Sequence, residues 1–262
     1  MGNAIQVITG RIVNQAALTA WTVNTGDSLT VRDFNDATAT YLEGLWAQSA
    51  TAGTIRVRSA RLHDFVQGIR FRVPAALIRN FLADEASQQL YPNDVLTVEQ
   101  AGGGAETDSG ALCLYYTDLP GIAARLAMWE QIRGRVVNVL TQEVAITGPV
   151  TAGDWSPGTN INATFDLLKA DTDYAVLGYQ LDTPCNAFAI QGTDTGNLKC
   201  GGPGTTESLE TRDWFVTKSK ATGRPWIPII NSNNRGATQA FVALNTAAGT
   251  INGGIVLAQL SK

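Results

Sequence analysis

An ordered succession of segments that occurs twice limits this chain more than anything else in its sequence. In the stretch 39–98, Leu42, Gly44 and Trp46 share one face of an extended run. Ile55 and Val57 alternate with Arg56 and Arg58, and Ile69, Phe71 and Val73 with Arg70 and Arg72. Period-2 alternation packs one face on a core and wets the other, as in antiparallel sheets. After Pro74 the period changes. Ala76, Leu77, Phe81 and Leu82, with Ile78 at the flank, predict a helix over 75–90, with Pro74 at its first turn and Tyr91-Pro92 ending it. An extended run, 94–98, follows. Adding 133 to each position lands on the same kinds of segment: Trp46 on Tyr179, Phe81 on Trp214, Pro92 on Pro225. The agreement lies in the order of elements, since few residues are identical in this register. It predicts one β-rich unit used twice, as domains 1–140 and 141–262.

The remaining segments fill in that plan. Runs 4–9, 18–23 and 28–32 read as strands, with a turn at 24–27. The glycine-rich stretch 102–110 reads as an exposed loop before a strand at 111–116. It lacks the following Lys-Ser/Thr and helix of a phosphate loop. Ile122, Leu126, Trp129 and Ile132 form one apolar stripe, which predicts a helix over 120–133 filling the seam between the units or touching a neighbouring subunit. In the second unit Ala175, Leu177, Tyr179 and Leu181 alternate, as do Phe188 and Ile190. A helix is predicted over 208–220 with Leu209, Trp214 and Phe215. Pro225 and Pro228 around Trp226 point to an edge strand.

Composition narrows the function classes. Of 262 residues only 16% are charged, and the formal net charge of −4 supplies no attraction to a polyanion. Residues 1–150 hold 11 Arg, no Lys and 14 acids. Arg56, Arg58, Arg70 and Arg72, with Arg61, invite a nucleic-acid reading through phosphate neutralisation. With Glu43, Asp64 and Asp84 nearby and no interleaved aromatics, a solvated or intersubunit sheet face is the better expectation. His63 is the single histidine and sits in a polar loop beside Asp64, so neither a His-activated nucleophile nor a His-carboxylate metal site is expected. The carboxylate pairs Asp33/Asp36, Asp84/Glu85 and Asp171/Asp173 occur in turn-like or helix-surface contexts rather than the paired geometry of a glycosidase. Cys113, Cys185 and Cys200 are too few for a disulfide framework, although a Cys185–Cys200 bridge stays open. The expectation is therefore a protein with no catalytic, cofactor or metal residues. No run approaches the ~20 apolar residues of a spanning helix, and the N-terminus lacks signal-peptide character.

Two consecutive β-rich units of about eight strands predict an all-β chain of two jelly-roll sandwiches, each with a helix after about the sixth strand. On the segments 74–90 followed by Tyr91-Pro92, and 208–223 followed by Arg224-Pro225, behind strands matching Ile55 with Phe188 and Val57 with Ile190, the chain resembles the double jelly-roll major capsid proteins of tailless, membrane-containing icosahedral phages and viruses. The helix 120–133 has no counterpart in that family's pattern. The resemblance implies a homotrimeric, pseudo-hexagonal capsomer that contacts its neighbours laterally in an icosahedral virion. It also implies contact with minor capsid proteins and an inner membrane, synthesis in a host cytoplasm, and no sequence-specific nucleic acid. The alternative is a β-sandwich that binds carbohydrate or a host receptor, with Trp155, Trp214 and Trp226 as the candidate aromatic platform.

Overall fold

The computed structural model describes residues 2–24, 26–33, 38–62, 66–76, 78–82, 86–104, 106–204, 210–246 and 249–262. The chain is all-β, and its strands form four antiparallel sheets arranged as two pairs. The first pair is built from β1 (Gly2–Val13), β2 (Thr19–Ala20), β3 (Thr22–Val23), β4 (Thr40–Gln48), β5 (Gly53–Arg58), β6 (Ile69–Val73), β7 (Arg79–Asn80), β8 (Gln88–Leu90), β9 (Thr97–Ala101) and β10 (Thr107–Leu119). One sheet runs β3-β1-β10-β4-β7, with β8 also on β4; the other runs β2-β9-β5-β6. The second pair comprises β11 (Leu126–Ala127), β12 (Val136–Thr147), β13 (Thr159–Asn160), β14 (Asp173–Leu181), β15 (Ala187–Gln191), β16 (Cys200–Pro203), β17 (Ile227–Asn231), β18 (Gln239–Ala243) and β19 (Thr250–Leu260). Its sheets run β11-β17-β14-β19-β12 and β13-β18-β15-β16.

The two halves follow one order. In each, the first strand pairs with the last, the last with the third, and the third with the sixth, while the second, seventh, fourth and fifth make the facing sheet. (In the first half β2 and β3 together serve as the second strand, and β7 and β8 as the sixth.) Both third strands also carry an extra residue opposite the last strand. Cys113 faces Gly44 and Leu114 faces Leu42, which leaves Glu43 over. Leu257 faces Val176 and Val256 faces Gly178, which leaves Leu177 over. Glu43 and Leu177 are 134 positions apart, as are the starts of β1 and β12 at Gly2 and Val136. The expected offset of 133 is therefore one residue short for the first and third strands. It does match the buried residues of the fourth, where Ile55 and Val57 correspond to Phe188 and Ile190. A one-residue slip exchanges the faces of a strand. Tyr179 is thus the counterpart of Leu45, and Trp46 points the other way.

Two expected helices are corrected. Over 75–90 the described residues contain no helix. Ala76 is left-handed (φ 54°), its N–H donates to Ser49 O, and Phe81 N–H donates to Leu45 O. At the described positions, backbone groups a helix would use are spent on β4 and the turn after it, and Phe81 stacks on Phe71 at 5.5 Å. Over 120–133 the helix shrinks to α1 (Trp129–Ile132). Gly121 takes φ 70°, Arg125 N–H donates to Asp194 O, and Leu126–Ala127 pair with β17. The third expected helix is present as α2 (Trp214–Thr222), closed by Gly223 at φ 65°, a left-handed cap that glycine adopts without steric cost; Leu209 lies outside the described residues. The strand opening the second pair, β12, starts at Val136 and spans the expected boundary at 140/141. Among the described residues no helix is long and apolar enough to cross a membrane.

Candidate functional site at the seam between the sheet pairs

The β3-β1-β10-β4 sheet is apolar on both faces, and the alternation of its strands sorts the side chains. Ala4, Ile8, Leu42, Leu45, Leu112, Leu114 and Tyr116 turn into the core of the first pair. Ile5, Val7, Trp46, Ala111, Cys113 and Tyr115 turn the other way and join the core of the second pair. Half-buried Ile122 and Ala124 pack on the first core, and Leu126 and Trp129 on the second. The joint is continuous with the interior of the second pair, unlike the more polar interfaces between loosely tethered domains.

Charged groups are sealed into this joint. Glu43 is fully buried. A strand bulge redirects side chains locally, and Glu43 at the β4 bulge accepts from Ser87 Oγ at 2.6 Å and pairs with Arg224 at 2.5 Å. Lys218, also fully buried, donates from Nζ to the Glu43 carbonyl at 2.9 Å and lies over the Trp214 and Trp226 rings. Arg224 stacks 4.0 Å over the Tyr41 ring, and Tyr115 stacks on Trp226 while donating to Pro225 O. Burial pushes the Glu43 carboxyl up, and Ser87, Arg224 and Lys218 offset only part of that rise. Near β1, Arg11 pairs with Asp154 at 2.5 Å and donates to Ala152 O. Asp27 accepts from Trp155 Nε1 at 3.3 Å and lies 4.0 Å from Lys199. Trp46 Nε1 donates to Asn186 O, and Asn186 Nδ2 donates to Ser109 Oγ. The contacts of Glu43 with Arg224 and Lys218, Arg11 with Asp154, Asp27 with Trp155, and Asn186 with Trp46 and Ser109 each join residues of the two sheet pairs, so together they set one register between them.

Several residues singled out from the sequence land elsewhere. Arg56 and Arg58 are held by Glu99 of the neighbouring β9 at 2.6 and 2.9 Å, Arg72 donates to Thr54 Oγ1, and Arg61 lies over Tyr91. The acid that neutralises the arginine face is thus remote in sequence. Asp64 and Asp84 lie outside the described residues, and Glu43 faces the seam. His63, Asp36 and Glu85 also lie outside them. Asp33 accepts from Asn93 Nδ2; Asp171 is bound by Asn233, and Asp173 by Arg125 and Asn231. The Arg125 guanidinium holds Asp173 below the usual carboxylate range. Trp226 is fully buried and Trp214 nearly so, while Trp155 is half-buried against Phe241, so these three do not make an exposed platform. Cys113, Cys185 and Cys200 are free buried thiols, and burial raises the pKa of each. Among the described residues, no group of three or more His, Cys, Asp or Glu is placed to hold a metal ion.

Sequence reasoning missed Glu43, Lys218 and Arg224 as a group. A lysine in a helix opened by Trp214, Phe215 and Val216 and an acid inside an apolar strand are the local signals, but their partnership needs the tertiary fold.

No protein-family model matches the chain, and no curated protein sequence matches it. Among solved structures it is similar to the PBSX exported protein XepA, at 10% identity and TM-score 0.27, covering 97% of this chain and 86% of that one. It is also similar to the T=1 Penaeus vannamei nodavirus, at 10% identity and TM-score 0.23, covering 98% of each chain. The functional reading rests on the fold rather than on either likeness.

Proposed function

We propose that this chain is a viral structural protein, a major capsid protein whose two halves are consecutive jelly rolls and whose homotrimers form pseudo-hexagonal units of an icosahedral shell. The observation that carries this reading is the repeated strand order. A jelly roll sets its first, eighth, third and sixth strands in one sheet and its second, seventh, fourth and fifth in the other. That is the order of both sheet pairs, and the matched bulges at Glu43 and Leu177 extend the correspondence to single residues. Jelly rolls recur in viral capsid and lectin domains. The buried, charge-keyed seam favours the capsid use, because a building block with two similar lateral faces must hold those faces at one angle to close a symmetric shell.

The role is structural, without a reaction or cofactor, and the partners are further copies of the chain, with minor capsid proteins and an inner membrane as further contacts. The protein belongs in the virion after synthesis in the host cytoplasm. Electron microscopy of the expressed protein tests the reading. Trimers or closed shells support it, whereas dispersed monomers that bind glycans favour the carbohydrate- or receptor-binding alternative.

A further inference from the structure

Within the glycine-rich stretch 102–110, the described residues around Glu106 and Asp108 are tightly organised. Its residues from Thr107 onward belong to β10. Glu106 is held as an anion: its Oε1 accepts from Thr51 N–H at 3.1 Å, Thr51 Oγ1 at 3.2 Å and Gly103 N–H at 3.2 Å. Asp108 is fully buried, and its Oδ1 accepts from Ser49 Oγ at 2.5 Å. Its Oδ2 is buried with no donor. The glycines let the backbone close over both carboxyl groups. A Cβ on Gly102 would stand 2.0 Å from Asp108 Oδ2, and one on Gly103 would stand 2.6 Å from Glu106 Oε1. The two acids lie within hydrogen-bonding reach of each other. Two ionised carboxylates at that range repel, and a buried oxygen without a donor carries a desolvation penalty. Both costs vanish if Asp108 keeps its proton and donates it to Glu106.

We propose that Asp108 and Glu106 share one proton and form a pH-operated latch, which ties the loop before β10 to the turn after β4 in acid solution and releases it above neutrality. Among the described residues, the elements packed around Asp108 bring no other charge to bear on it. β1 presents Ile12 opposite Asp108 and Arg11 opposite Ser109, and Arg11 is engaged with Asp154. The turn after β4 presents Ser49 and Thr51, and the loop presents Gly102 and Gly103. Burial first, and the Glu106 charge second, raise Asp108 from 3.8 to about 6, while the Ser49 hydroxyl acts in the opposite direction. A raised value means that the folded chain binds this proton more tightly than the unfolded chain does. Asp108's share of the stabilisation is present in acid and is lost as pH rises through about 6, whereas Glu106, held below 4.5, loses its share as pH falls through its folded value, so the latch is closed in the window between the two. A hard divalent cation is the rival occupant, but calcium takes six or more oxygen ligands, and here Asp108 Oδ1 and Glu106 Oε1 are already taken by protein donors, which leaves fewer than six oxygens among the two carboxyl groups and two hydroxyls.

Amide hydrogen exchange at Thr51 and Gly103, expressed as protection factors between about pH 5 and pH 8, reads the latch directly. In the unmodified chain, protection at both amides is expected to fall about tenfold or more, with a midpoint near pH 6. In Asp108→Asn the side-chain amide donates to Glu106 at every pH while its oxygen still accepts from Ser49, so protection stays high and flat. A flat profile in the unmodified chain, or an Asn variant that keeps the midpoint, overturns the latch. So does protection at the upper pH that returns with added calcium and disappears with EDTA, which would assign the pair to a cation. Should Asp108→Asn not fold, carbon-detected titration of the Asp108 carboxyl in Glu106→Gln decides the matter. The midpoint is expected to move down toward the ordinary carboxylate range, and an unchanged midpoint contradicts the proposal.

Discussion

Glu43 shows what a single residue does in this molecule. Stranding one partner of a fully buried ion pair costs about 3–5 kcal/mol, and Arg224 keeps 26% of its side chain exposed, which lowers the figure. Glu43→Ala is therefore expected to cost about 2–3 kcal/mol, read as a lower urea midpoint with an unchanged slope. Glu99 behaves differently because its partners, Arg56 and Arg58, sit on the outer face of a sheet. Burial works against its charge, but hydrogen bonds from Arg58 and Arg56 outweigh it and hold the carboxyl below 4.5. The stabilisation from a depressed acid is present above pH 4.5 and is lost as pH falls through the folded value. Glu99→Gln should thus be less stable than the unmodified chain at pH 7 and converge with it in acid, as thermal melts across that range will show. Neither residue's role was legible in the sequence. Both acids sit in strand segments, and their partners come from elements 41 to 181 positions away.

At the scale of elements, strands were read well and helices were not. Two-residue alternation reports which face is buried regardless of partner, so β4, β5, β6, β14 and β15 emerged close to their observed bounds. The apolar residues of 75–90 have helical spacing, but their backbone groups pair with β4, and tertiary pairing overrides a local pattern of that length. The segment 120–133 fails for a related reason: Gly121 turns the chain and Arg125 is drawn to Asp173 and Asp194. α2 survives because it packs on β14 and β17 and sets its first residue, Trp214, against β16. That last contact depends on glycine. A Cβ at Gly202 would lie 2.3 Å from the Trp214 indole nitrogen. Gly202→Ala is expected to displace α2 and cost about 1–3 kcal/mol, seen as a lower midpoint together with a changed tryptophan emission.

For the molecule as a whole, the repeat was legible in outline, and its offset was wrong by one residue in the third strand. That residue decides whether Trp46 is a core residue of its own sandwich or the anchor of the seam. Composition could not show this, because alternating apolar residues on both faces of β1, β4 and β10 read alike until a second unit is placed against one face. With that unit in place, the chain becomes a two-sandwich block with a fixed internal angle, and lateral closure of such blocks is the central claim. The mass of the purified protein in solution, measured by light scattering over a range of concentrations, tests it most directly. A chain of 27.9 kDa that closes as a homotrimer gives three times that mass, about 84 kDa, or larger closed shells. A mass that stays at 27.9 kDa at every concentration would contradict it.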